Sequence, residues 1–240
     1  MKIGGLEKLT LIDYPGHLAA IIFTQGCNFR CHFCYNPQLV WPNAASGEKN
    51  KDEGYPGVFL DDLFLFLEER KNKLNGVVIT GGEPTLHPDL PDFISNIKAL
   101  GYDVKLDSNG TNPEMLEKLI KDGLVDYIAM DVKAPWEKYE QVVGVHLDLP
   151  SLEKSVKIIR ESGLPYEFRT TVVPALHNRG DIEAIGKAIA GADAWYLQVF
   201  KSDTALVDGS FEGKSPFTGI GMEELAEAGR QYVSNCRVRQ

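Results

Sequence analysis

The sequence predicts an α/β fold: six strands alternate with helices, joined by right-handed crossovers into a parallel sheet that curls into an incomplete barrel, a partial (β/α)6 barrel of TIM type. Three observations carry this expectation. Short β-branched and apolar runs recur, each followed by a segment whose apolar residues fall at helical spacing. Polar and glycine-rich residues stand directly after those runs, at Cys27 to Cys34, Gly81 to Glu83, Asp107 to Gly110, Asp131 to Lys133 and Gln198 to Lys201. In a parallel α/β architecture all such loops open on one face, the usual address of an active site.

The elements follow in order. Asp13-Tyr14-Pro15-Gly16 is a turn that leads into Leu18 to Phe23, an apolar run that reads as a buried strand. Trp41 to Gly57 is polar, rich in Gly, Pro, Asn and Lys, and reads as an exposed loop. Asp61 to Leu74 places Leu63, Phe64, Leu67 and Leu74 near helical spacing, and Gly76 to Thr80 is a strand closed by Gly81-Gly82-Glu83-Pro84. A helix over about Pro88 to Leu100, a strand at Asp103 to Asp107 and a turn at Ser108-Asn109-Gly110 come next. Pro113 to Lys121 is helical, with Asn112 as N-cap and Pro113 at the first position. Val125 to Asp131 is a strand, Ser151 to Ser162 a helix, and Tyr166 to Val173 a strand stopped by Pro174. Asp181 to Ala190 and Trp195 to Phe200 supply a further helix and strand, and Met222 to Val233 a last amphipathic helix. With no repeat and no composition break, the expectation is a single domain over 1–240, with an N-terminal extension, an exposed loop at about 41–57 and a C-terminal helix.

Composition narrows the function. The 240 residues carry 25 basic and 34 acidic side chains, and a formal charge of -9 argues against a nucleic-acid or anionic-lipid partner. No apolar run reaches membrane-spanning length, and Met1-Lys2-Ile3-Gly4-Gly5 lacks a secretory signal, so a cytoplasmic protein is expected. Four cysteines, three of them clustered, make no disulfide framework, and a reducing compartment leaves them available to metal.

Cys27, Cys31 and Cys34 are spaced C-x3-C-x2-C within eight residues. Three thiolates on one loop suit a soft centre, zinc or an iron-sulfur cluster, and both usually want four ligands. A structural zinc site would supply a second cysteine or histidine pair nearby; none is present, and His32 sits badly between the ligands. The sharper reading is a [4Fe-4S] cluster held by three cysteines, with the fourth iron open to an exogenous ligand. Gly81-Gly82-Glu83 adds glycines that let the backbone approach closely and a carboxylate that complements an ammonium. By itself it reads equally as a tight turn with Pro84 at a helix start. Asp107, Ser108 and Asn109, and Asp131 with Lys133, are suited to hydroxyls and a carboxylate, although an Asx-type turn and a surface ion pair would explain them as well. Arg169 and Gln198 lie on later strands and point either way; His177 reads as a loop histidine and the lone Cys236 as a small apolar packer.

The motif C-x3-C-x-aromatic-C, with Phe33 before the last cysteine, resembles that of the radical S-adenosylmethionine enzymes. The single domain would then be a radical SAM core. The resemblance implies a [4Fe-4S] cluster on Cys27, Cys31 and Cys34 as the catalytic centre. It further implies that S-adenosylmethionine chelates the open iron and is cleaved reductively to methionine and a 5'-deoxyadenosyl radical. Phe33, Gly81, Gly82, Glu83, Asp107, Ser108, Asn109, Asp131, Lys133 and Gln198 are its implied cofactor-binding residues.

Leu11-Ile12-Asp13-Tyr14-Pro15-Gly16 and Phe23-Thr24-Gln25-Gly26-Cys27-Asn28 are most similar to the activating proteins of anaerobic ribonucleoside-triphosphate reductase and of pyruvate formate-lyase. That similarity implies an anaerobic oxidoreductase that takes a hydrogen from a glycine of a glycyl-radical enzyme, here anaerobic ribonucleotide reductase, served by a flavodoxin- or ferredoxin-type electron donor. A small-molecule enzyme resembling 7-carboxy-7-deazaguanine synthase is the alternative, although such enzymes commonly lengthen the gap between the first two cysteines. A non-catalytic electron-transfer protein is a third reading, and a pure carrier usually closes its cluster with four protein ligands.

Overall fold

The computed structural model describes residues 1–41 and 57–239, so the loop expected at about 41–57 lies outside the described residues apart from its two ends. The chain divides into two compact units, taken here in turn. The first comprises Met1–Asn28, Gln38–Ser108 and Glu114–Ile128. Along it run β1 (Ile3–Thr10), β2 (Ala19–Thr24), the one-turn α1 (Pro37–Val40), α2 (Leu60–Arg70), β3 (Gly76–Gly81), α3 (Leu90–Ala99), β4 (Asp103–Ser108), α4 (Pro113–Lys121) and the start of β5 (Tyr127–Asp131). β2, β3 and β4 lie parallel, as expected. β1 is an addition, antiparallel to β2. Its sequence hides it, because Glu7, Lys8 and Leu9 are exposed and two glycines interrupt the alternation that marks a half-buried strand.

Two helix boundaries differ from expectation for local reasons. α2 stops at Arg70, short of Leu74, since Asn72 adopts the left-handed conformation at φ +65°, which ends a helix. The helix expected from Pro88 begins at Leu90 and is preceded by a short 3-10 turn, Pro84–Leu86. His87 between them is extended, as the residue before a proline tends to be. Apolar side chains of this unit fill its interior: Ile22, Leu63, Leu67, Ile79, Leu90, Ile94, Ile97 and Leu106 are completely buried.

The second unit comprises Phe29–Pro37, Asn109–Pro113 and Ala129–Gln240. It completes β5 and carries α5 (Tyr139–Val143), α6 (Leu149–Arg160), β6 (Tyr166–Val172), α7 (Arg179–Ala188), β7 (Trp195–Val199), α8 (Gly219–Arg230) and β8 (Cys236–Arg239). β6, β7 and β8 are parallel neighbours. α5 and β8 were not expected: five and four residues are too short to show a period. α7 begins before Asp181 because Asn178 and Asp181 form a capping box that satisfies the first turn. Trp195, fully buried on β7, donates from Nε1 to Thr170 Oγ1 at 3.0 Å, and that hydroxyl donates to the Val132 carbonyl at 2.7 Å. Eight strands are thus described where six were expected, and in both units sheet neighbours are chain neighbours. No helix of the described residues is long and apolar enough to cross a membrane.

α8 packs on β7 and β8 at Gly229, where an added Cβ would lie 2.6 Å from Cys236 Sγ and 2.9 Å from the Trp195 ring. Alanine gains about 1 kcal/mol of helix propensity, but overpacking a filled core costs about 1–3 kcal/mol. Gly229→Ala is therefore expected to lose about 1 kcal/mol in a denaturant melt. Gly221→Ala in the same helix, whose Cβ would make only contacts of 3.4 Å or more, serves as the control and should be neutral or slightly stabilising.

Candidate functional site

In the first unit the chain leaves β2 through Gln25 and Gly26 to Cys27. The Gly26 and Cys27 amides donate to the carbonyls of Leu39 and Val40 at 2.7 and 3.1 Å, so α1 holds the start of the cysteine loop. The end of β3 is sewn to the same stretch: Gly82 N–H donates to Thr24 O at 2.9 Å and Glu83 N–H to Gly26 O at 2.8 Å. Gly81 has φ +123°, and a Cβ on Gly82 would lie 2.1 Å from the Gly26 carbonyl oxygen. Neither position accepts a side chain without moving backbone, which is the physical reason for two successive glycines.

Glu83 is buried, and its Oε1 accepts three hydrogen bonds: from Thr85 N–H at 3.1 Å, Thr85 Oγ1 at 2.5 Å and Ser108 Oγ at 2.9 Å. Ser108, read from sequence as a hydroxyl-binding residue, thus spends its donor on Glu83, and Thr85 was not singled out at all. The signal for Thr85 was its place two residues after an acid that begins a 3-10 turn, a position from which amide and hydroxyl both reach back. Asp107 is ion-paired with Lys105, which is buried and stands 5.8 Å from the Tyr127 ring centroid. Lys105 was also missed, although the period-2 pattern of Asp103-Val104-Lys105-Leu106-Asp107 places it and Asp107 on one face. The Thr24 hydroxyl is buried with no hydrogen-bond partner.

The second unit holds Cys31, buried, and Cys34, half-buried, with Phe33 buried between them. Their loop is fixed by backbone bonds from Arg30 N–H to Val143 O at 2.8 Å, from Cys34 N–H to Cys31 O at 3.0 Å and from Val207 N–H to Cys34 O at 3.0 Å. Burial pushes the Cys34 thiol up from its ordinary value, against the Asn36 backbone bond and the Lys133 charge. His32 lies 3.1 Å from Asp208 and 3.1 Å from the Gln141 carbonyl and stacks on Phe211.

Asp131, at the end of β5, is bridged by two cations: Arg169 Nε donates to Oδ1 at 2.8 Å and Lys133 Nζ to Oδ2 at 2.9 Å. Burial alone would raise the Asp131 carboxyl, but the Arg169 and Lys133 charges outweigh it and hold the group well below the carboxylate range. Burial would likewise lower Lys133, yet Asp131 and the Cys31 sulfur keep its ammonium above the ordinary lysine range. Two cations thus meet one carboxylate. His177, read as a loop histidine, proves buried: Nδ1 accepts from Val173 N–H at 3.0 Å, so Nε2 carries the proton donated to Lys133 O at 2.9 Å. Desolvation lowers its basicity. Asn109 Oδ1 accepts from Thr111 N–H and Oγ1 at 3.0 and 2.7 Å, an Asx-type turn. Gln198 lies half-buried on β7 opposite Thr171 and Arg239, and Cys236 is buried as a packer.

None of the four cysteines forms a disulfide. Among the described residues no group of three or more His, Cys, Asp or Glu is placed to hold a single metal ion. A cubane cluster asks for something else, because each of its cysteines binds a different iron and the sulfurs need not converge on one point. Three soft donors in eight residues, with a glycine turn where a Cβ would strike backbone, fit such a group.

These features describe an α/β protein with three clustered free thiols. The profile of the Radical SAM superfamily matches residues 21–188, and the chain belongs to that superfamily. Its cofactors are accordingly a [4Fe-4S] cluster and S-adenosylmethionine. A Methanocaldococcus jannaschii protein with the provisional name of a glycyl-radical enzyme activating enzyme is 34% identical over 242 residues, covering 99% of this chain and 95% of that one. The pyruvate formate-lyase-activating enzyme of Listeria monocytogenes is 32% identical over 138 residues, covering 55% of this chain; the chain thus spans about half, 53%, of that relative. Among solved structures, Streptococcus suis SuiB bound to S-adenosylmethionine aligns with a TM-score of 0.68 at 15% identity, over 92% of this chain and 50% of SuiB, a likeness of fold.

Two outcomes follow from this geometry. Asp131→Asn leaves two cations facing a neutral amide and should cost about 2 kcal/mol at pH 7, between the values of exposed and buried pairs. Since the folded carboxyl is depressed, its stabilisation is complete above the unfolded value of about 4 and declines below it; the gap between parent and variant in urea melts should hold from pH 8 to 5 and narrow at pH 3. Burial pushes the Cys236 thiol up to about 12. At pH 8 roughly one molecule in 10⁴ then carries its thiolate, so iodoacetamide should spare Cys236 in the native protein and modify it after denaturation, as mass spectrometry of the peptides will show.

Proposed function

We propose that this radical SAM enzyme is an activase of a glycyl-radical enzyme, with anaerobic ribonucleotide reductase as the protein substrate. The observation that carries the activase class is similarity at 34% identity across 99% of the chain to a relative provisionally named a glycyl-radical enzyme activating enzyme, while the reductase as substrate rests on the likeness of Leu11 to Gly16 and Phe23 to Asn28. Similarity to pyruvate formate-lyase-activating enzymes agrees with the activase class. In this reading Cys27, Cys31 and Cys34 would hold the cluster, leaving one iron open to S-adenosylmethionine. When bound and reduced, these groups supply a one-electron cleavage of the sulfonium that yields methionine and the radical that takes hydrogen from a glycine.

The chain's own residues bind and orient. Gly81 and Gly82 present backbone to the methionine moiety, and Glu83 accepts N–H bonds from its amino group. The Lys133 and Arg169 cations beside Asp131 attract its carboxylate. Asp107, Asn109 and Gln198 complete the proposed cofactor-binding set, and the buried Phe33 keeps water from the cluster loop. A flavodoxin- or ferredoxin-type protein donates the electron, and the reaction takes place in an anaerobic cytoplasm.

The test is anaerobic reconstitution followed by S-adenosylmethionine and a strong reductant. The expected product is 5'-deoxyadenosine, absent with Cys31→Ala. Adding the reductase should then give a glycyl-radical doublet by electron paramagnetic resonance. 5'-Deoxyadenosine without a doublet on the reductase would overturn the substrate, and no 5'-deoxyadenosine at all would overturn the activity.

A further inference from the structure

We propose that Thr85 and Ser108 are positioning residues that fix the Glu83 carboxylate as the acceptor for the amino group of S-adenosylmethionine, an inference that rests on the role given to Glu83 above. A glutamate has a long, freely rotating side chain, and an acid that must meet an amino group at one point gains from being immobilised beforehand. Here three donors converge on a single oxygen, Oε1, and they come from two separate places in the fold. The Thr85 amide and hydroxyl lie two residues on, at 3.1 and 2.5 Å, while the Ser108 hydroxyl arrives from the end of β4 at 2.9 Å.

All three side chains are buried, with Glu83 and Thr85 each 1% exposed and Ser108 3%. Water therefore does not stand in easily for a missing donor. The Glu83 backbone is independently pinned by its amide to the Gly26 carbonyl, so the carboxylate is held at both ends of the residue. Pro84 at the first position of the 3-10 turn fixes the backbone between the acid and Thr85. An arrangement that only capped this turn would need the Thr85 amide alone. The second hydroxyl, from another strand, has no part in capping and acts on the carboxylate itself.

The experiment uses the reconstituted holoprotein and equilibrium dialysis with two ligands, S-adenosylmethionine and its analogue with hydrogen in place of the amino group. Thr85→Val keeps the shape and removes one charge-assisted hydrogen bond, so it should weaken S-adenosylmethionine about tenfold and leave the analogue within about twofold. Thr85→Ser should restore the parent affinity, and Ser108→Ala should weaken S-adenosylmethionine about fivefold, again without effect on the analogue. Thermal melts accompany each variant. A Thr85→Val protein that melts earlier but keeps the parent's preference for the amino ligand would make the contact merely structural and overturn the proposal. If Thr85→Val does not fold, Ser108→Ala decides by the same ratio. Glu83→Gln separates the two levels: parent affinity in that variant overturns the role of Glu83 and the proposal with it, whereas lost preference in Glu83→Gln together with parent behaviour in Thr85→Val and Ser108→Ala overturns the positioning alone.

Discussion

The close approach of two backbones at the ends of β2 and β3 is the constraint on which the candidate residues of the first unit depend. Gly82 bonds to Thr24 and Glu83 to Gly26 at distances that leave no volume for a side chain. The same Gly26 donates to Leu39, so one residue ties β3, the one-turn helix and the entrance to the cysteine loop together. A methyl group at Gly82 would separate them and shift Cys27 and Glu83 at once. Backbone hydrogen bonds hold this geometry without long side chains, which suits a place where a small ligand must come close.

The charged residues follow a common logic. Glu83, Asp107 and Asp131 are all withdrawn from water to some degree, and each is met by donors rather than left to desolvation: hydroxyls and an amide for the first, Lys105 for the second, Arg169 and Lys133 for the third. Burying a carboxylate without partners would cost several kcal/mol, on the order of a whole domain's stability. The three solutions differ in the kind of donor, which is a property of the pairings and is invisible in a formal total of -9.

What the sequence made legible follows from how each element announces itself. β2 and β3 are apolar enough to read as buried strands, β4 shows itself by alternation, and Asn112-Pro113 gives a sharp helix start that the structure reproduces from Pro113 to Lys121. β1 escaped because an edge strand need not be apolar, and α5 and β8 because so few residues show no period. In the site, motifs named the residue types but not their partners. Ser108 and Asn109 were read as hydroxyl-binding groups, and the sequence did not show that Ser108 also reaches Glu83 or that Asn109 Oδ1 also closes a local turn. Arg169 was one of two residues whose strand face was open; its bond to Asp131 is a contact over 38 residues that no local pattern encodes. His177 needed burial to be distinguished from an ordinary loop histidine, and burial is a tertiary fact.

The Lys105–Asp107 pair bears on how the chain selects one folded arrangement from close competitors. β4 is paired with β3 so that Val78 lies beside Lys105 and Ile79 beside Leu106. A slip by one residue would turn the ammonium and the carboxylate to the opposite side of the sheet, where Val104 and Leu106 are now completely buried, and would bring those two in exchange. Misaligned pairings of a uniformly apolar strand differ little in energy; with a charged pair embedded in it, every odd-numbered misalignment is heavily penalised. The pair thereby rejects wrong sheets as well as stabilising the right one, and keeps Ser108 at the one position from which its hydroxyl meets Glu83.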